Sequence, residues 1–161
     1  MSSVILAHRT VRYTCEGEIE KLVREFEACR IPLDEWTHHA HLTMALWYLS
    51  RYPEVEATER IRGGIQRYNR TQSKPDRPST GYHETITLFW IRMLGEYLSR
   101  AGHKDLVSLT NGLLDSWAHK DLLCEYYSNE ALFSEKARVE WVPPDLKSLP
   151  SECTEMFESN D

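Results

Sequence analysis

Apolar residues recur along the chain at helical spacing, and nowhere with the alternation that a sheet requires. Ile19, Leu22, Val23 and Phe26 stand at i, i+3, i+4 and i+7 behind an acidic start. That spacing predicts a helix from Glu16 to about Cys29-Arg30, stopped before Pro32. A second helix is predicted from Asp34 or Thr37, either a credible N-cap, to Arg51-Tyr52 before Pro53. Its inward stripe is Leu42, Ala45, Leu46 and Leu49, and the same stripe extended backwards takes in Glu35, His38 and His41. A third helix, from about Glu54 to Tyr68, carries Val55, Ile61 and Ile65. Gly63-Gly64 in its middle weakens it by roughly 1 kcal/mol per glycine, and implies a kink or the close approach of another segment.

Residues 69–81 form the longest loop, of a length at which loops tend to carry function. It leads into Tyr82-His83-Glu84-Thr85, the head of a fourth helix with the stripe Ile86, Trp90, Met93, Leu94 and Tyr97, ending at Ala101-Gly102. A fifth helix, from about Lys104 to His119, buries Leu106, Leu109, Leu113, Leu114 and Trp117. One or two short helices are predicted between Asp121 and Ala137, and Trp141–Leu146 reads as an extended segment across the body. The prediction is an all-α, single-domain bundle of about five to six helices over residues 16–150. An arm (1–15) precedes it and an acidic, disordered tail (151–161) follows.

Charge and composition narrow the function. The net charge of −6 and the absence of an uninterrupted basic block argue against nucleic acid as a partner. No run approaches the length of a membrane span, and Val4-Ile5-Leu6-Ala7, followed at once by His8 and Arg9, is too short for the core of a signal peptide. Cys15, Cys29, Cys124 and Cys153 show no C-x-x-C spacing, consistent with reduced thiols in the cytoplasm. The expected partner is a small molecule.

Histidine carries the candidate chemistry. His38, His39 and His41 fall within one helical turn at the head of the second helix, and His83 heads the fourth. Crossing neighbours in a bundle can bring such heads to one pocket. The leading expectation is a small-molecule enzyme centred on His38, His41 and His83, and its first form is a mononuclear divalent-metal site (Zn, Fe, Mn or Ni) on those three, with Glu35 or Glu84 as a further ligand or support. A di-iron site is rejected, because it needs a second Glu-x-x-His beside Glu35-x-x-His38, and Glu84 is followed by Thr87. A second reading is a metal-free acid–base pocket, with His83 or His38 as general base beside Glu84 or Glu35, and Tyr82, Tyr126 and Arg138 orienting a substrate, Arg138 as an anion contact. The third is a non-catalytic binding or interaction domain whose histidines only hold the fold together. A serine hydrolase is excluded for want of a Gly-x-Ser-x-Gly elbow.

Three segments bear a resemblance. Glu35-Trp36-Thr37-His38-His39-Ala40-His41-Leu42, Gly81-Tyr82-His83-Glu84-Thr85 and Trp141-Val142-x-Pro144-Asp145-Leu146 resemble the signatures of a family of small helical proteins of unassigned function, over residues 30–150. The resemblance implies that these segments belong together and implies no chemistry. At the level of the fold alone the chain is similar to the DinB-like metal-binding four-helix bundles, which use histidines from separate helices. It does not match their ligand spacing.

Overall fold

Capping side chains decide where most of the helices begin. The computed structural model describes residues 12–72 and 81–150. Helix α1 spans Glu16–Glu27, and α2 spans His38–Arg51 with Thr37 as its cap, its hydroxyl accepting from the Ala40 N–H at 3.2 Å. Helix α3 spans Glu54–Gln72 and α4 spans Glu84–Ala101, the latter capped by the ring of His83. Asp105 caps α5 (Leu106–Ser116). Three helices of a turn or so follow: α6 (Leu122–Tyr126), α7 (Asn129–Leu132) and α8 (Glu135–Val139). The described residues contain no strand, so the fold is an all-helical bundle, with five substantial helices.

Helix α5 is shorter than the expected Lys104–His119, and three further departures from the sequence pattern each have a local reason. The segment 121–137 breaks into three pieces because Ser128 and Ser134 each cap a new start, accepting from the Ala131 and Ala137 N–H groups. Helix α3 continues past Tyr68 to Gln72, while residues 73–80 of the expected loop lie outside the described residues. Glu35 is not on α2: the Pro32 carbonyl accepts from the Glu35 and Trp36 N–H groups in a tight turn, and Glu35 is exposed. The inward stripe cannot be extended back to it, because the chain is not helical there.

Helix α2 is the centre of the bundle and packs against α1, α3, α4 and α5. It is therefore buried nearly all round, with Leu42, Thr43, Met44, Ala45, Leu46 and Tyr48 inside and Leu49 only half-buried. Val23 and Phe26 from α1, Ile61 and Tyr68 from α3, Phe89 and Leu94 from α4, and Leu109 and Leu113 from α5 complete the core. Tyr68 is wholly buried, and its hydroxyl is satisfied by the Ile31 carbonyl at 2.9 Å.

The two adjacent glycines of α3 play unequal parts, and the helix runs through both without a break. A Cβ on Gly64 would lie 2.5 Å from Cζ of Phe26, whereas one on Gly63 would meet nothing within 4 Å. Gly64→Ala is expected to destabilise by about 1–3 kcal/mol through overpacking, and Gly63→Ala to stabilise by about 1 kcal/mol through helix propensity. Urea midpoints measure both, and the reverse order would contradict this packing.

The chain's last described stretch crosses the body as an extended strap. The Thr85 hydroxyl donates to the Glu140 carbonyl at 2.9 Å and accepts from the Val142 N–H at 3.1 Å. The Tyr127 hydroxyl donates to the Val142 carbonyl, and Asp145 accepts from both the N–H and the hydroxyl of Ser128. Of the expected arm, Tyr13 exchanges two hydrogen bonds with the Asn111 side chain on α5. Residues 1–11 and the expected tail 151–161 lie outside the described residues. No helix among the described residues is long and apolar enough to cross a membrane.

Candidate functional site

Where α2, α3 and α4 meet, the packing leaves a cavity of about 350 Å³. Its apolar walls are Leu42, Met44 and Ala45 of α2, Ile61 and Ile65 of α3, and Ile86, Trp90 and Ile91 of α4. Its polar lining is confined to Thr37, His38, His41 and Thr87, the indole of Trp36, and Lys120 from the connection between α5 and α6. That volume is at the small end for ligand sites, which are mostly apolar with a few placed polar groups.

The position of each polar group follows from the local fold. Thr37 ends the turn and starts α2, so His38 occupies the first helical position and His41 lies one turn on, over the same face. The His41 ring lies against Trp36 with centroids 3.8 Å apart, and Trp36 in turn stacks on Phe26 at 5.1 Å. His41 Nδ1–H donates to the Thr37 carbonyl at 2.7 Å, which fixes the tautomer and leaves Nε2 as the acceptor. The edge of His38 meets Trp90, with centroids 4.8 Å apart.

Both rings are held neutral. Burial, first, and then the His41 ring, the Lys120 ammonium and His39 push the pKa of His38 down from 6.5 to about 4; the Ala118 backbone opposes this weakly. His41 is lowered too, by burial and then by Lys120, against the bond to Thr37. The backbone bond of His38 is to Ala118, while its buried Nε2 has no hydrogen-bond partner. A neutral imidazole has one N–H to donate, so the proton lies on Nδ1 and the lone pair of Nε2 is enclosed by the packing. Nε1 of Trp36, a buried donor, is likewise without a partner.

The head of α4 is arranged differently. His83 is fully engaged: Nδ1 accepts from the Ile86 N–H at 3.2 Å, and Nε2–H donates to the Leu132 carbonyl at 2.9 Å. Burial, with the neighbouring Arg138, lowers its pKa and keeps it in this doubly bonded neutral form. Glu84 is gripped by Arg62, with contacts of 2.6, 3.1 and 3.2 Å, and also accepts from the Tyr82 hydroxyl. Burial would raise the Glu84 carboxyl, but the Arg62 and Tyr82 bonds outweigh it, so the pKa is lowered.

The structure thus separates residues that the sequence pattern groups together. His38 and His41 share the cavity, whereas His83, Glu84, Tyr82 and Arg138 are not among its lining residues. Arg138 is half-buried beside Gly81 and His83, and Glu35 is exposed. Tyr126 borders a second, open groove of about 800 Å³ with Trp117, His119 and Lys147. Among the described residues no three His, Cys, Asp or Glu side chains converge closely enough to hold a metal ion. The expected set of His38, His41 and His83 does not fit one, because both nitrogens of His83 are bound to backbone. Sequence reasoning missed Lys120 and the place of Trp36 in the cavity wall. Lys120 has no motif around it and reaches the cavity only through the fold, while Trp36 reads as ordinary core.

Comparisons of the chain with protein-family models, with curated proteins and with solved structures find no match in any of the three.

Proposed function

We propose that this protein binds a small, mainly apolar molecule in the cavity at the heads of α2 and α4, where His38 and His41 are among the few polar residues of the wall. The observation that carries this reading is a cavity of about 350 Å³ with mainly apolar walls and two neutral histidines, His38 and His41, at its head.

The low pKa of His38 favours binding over catalysis in the free protein. A base titrating near 4 has little driving force to take a proton at neutral pH. A small-molecule enzyme working by proton transfer at the same site needs a ligand that raises this pKa. His83, Glu84 and Tyr82 then act as supports for the head of α4 and not as acid–base groups. Free Cys15, Cys29 and Cys124 support the cytoplasmic placement drawn from the sequence.

The test is a small-molecule fragment screen read by two-dimensional NMR. Binders are expected to shift the indole resonance of Trp36 and the imidazole resonances of His38 and His41 together. Binders that shift only residues of the open groove around Tyr126 and Trp117 would contradict the assignment.

A further inference from the structure

Resting on that reading, we infer that the ligand is an uncharged, compact apolar molecule that presents one O–H or N–H to Nε2 of His41. Two contacts fix the direction of this ring. Nδ1–H donates to the Thr37 carbonyl at 2.7 Å, and the ring lies against Trp36 with centroids 3.8 Å apart. A carbonyl can only accept, so the single proton of the neutral ring sits on Nδ1 and Nε2 is an acceptor. Nε2 has no hydrogen-bond partner among the described residues. Unlike Nε2 of His38 and Nε1 of Trp36, it keeps accessible surface, on a half-buried side chain that lines the cavity.

The other polar groups of the wall are used or sealed. The Thr37 hydroxyl accepts from the Ala40 N–H, and the Thr87 hydroxyl donates to the His83 carbonyl at 2.9 Å. His38 is bonded to the Ala118 backbone through Nδ1 and enclosed at Nε2. Lys120 is exposed, and water screens its charge. A lone pair set among Leu42, Ile61, Ile65, Ile86 and Trp90 selects for one donor on an apolar body. A carboxylate or an ether offers Nε2 no proton, and the carboxylate also loses its hydration against these walls. An ammonium brings donors, but no aspartate or glutamate is found among the described lining residues to neutralise it.

The test uses the intact protein at neutral pH and matched probes: p-cresol with 4-methylanisole, indole with 1-methylindole, and 4-methylbenzoate. Affinities are measured by NMR titration on wild type and His41→Phe. Phenylalanine keeps a ring against Trp36, and the Thr37 carbonyl keeps the backbone N–H of residue 41 at 3.0 Å. In wild type the cresol and the indole are expected to bind about five- to tenfold more tightly than their methyl-capped partners, although capping adds apolar surface, with the benzoate weakest. In His41→Phe that preference is expected to vanish while the capped probes bind as before. A readout that needs no variant is the imidazole nitrogen spectrum of wild type, where cresol is expected to shift Nε2 of His41 and methylanisole to leave it in place. Capped probes that bind wild type as tightly as their parents would overturn the inference alone. So would a donor preference that survives in His41→Phe, an unmoved Nε2, or tightest binding by the benzoate. Failure of every probe to bind would also overturn it, and failure of the broader fragment screen as well would overturn the cavity assignment with it.

Discussion

Lowering the pH from 7 to 4 is expected to remove about 3 kcal/mol of folding free energy through His38 alone. Its pKa falls from 6.5 to about 4 on folding, so in that window the unfolded chain binds a proton that the folded chain refuses. The stabilisation is present in full above pH 6.5, is lost as the pH falls towards 4, and is not lost further below that. His41 and His83 are shifted in the same direction and add to the loss. Urea unfolding at pH 7, 5.5 and 4.5 on wild type and His38→Leu isolates the contribution. The carboxylates titrate in both proteins, so the difference between the two curves belongs to position 38. A difference that stays constant with pH would mean that His38 titrates normally in the folded state.

Glu84→Ala is expected to cost about 2 kcal/mol of stability. The carboxylate is mostly buried, its side chain 13% exposed, and it satisfies both the Arg62 guanidinium and the Tyr82 hydroxyl. Removing it strands two donors and loses a negative charge from the first turn of α4. Breaking a fully buried pair costs about 3–5 kcal/mol. The smaller figure applies here because Arg62 keeps partial exposure and a second partner, Glu59, at 2.6 Å. Glu84→Gln keeps an acceptor for Tyr82 and should lose about half as much. Chemical denaturation measures both, and a loss below about 0.5 kcal/mol in Glu84→Ala would place the pair among solvated surface bridges.

The architecture was legible in the chain because it depends on short-range order. Helical spacing of Ile19, Val23 and Phe26, or of Trp90, Met93 and Leu94, needs only the local chain to be read. Thr37 as one of two cap candidates, a close approach at Gly63-Gly64 as one of two readings, and the strap from Trp141 were legible for the same reason, whereas that Gly64 is the one that meets Phe26 was not. The site was only half legible. His38 and His41 sit on one helix face and could be paired from spacing alone. His83 looked equivalent, but whether a histidine at a helix head caps that helix or faces a cavity is decided by what packs against it, here the Leu132 carbonyl from α7. Glu35 failed because a stripe was continued through residues that turn about the Pro32 carbonyl instead of coiling. Lys120 is a tertiary fact with no local signature.

The most direct test of the account is a single comparison of wild type with His38→Leu, in thermal stability and in affinity for a molecule that binds in the cavity. Leucine fills similar space and removes an unsatisfied polar atom, so the variant is expected to melt at the same temperature or higher while binding about tenfold more weakly. A residue kept for recognition shows that opposition between stability and binding. A variant that melts lower and binds the same molecule unchanged would contradict the account, and would make His38 a structural group of the α2 head.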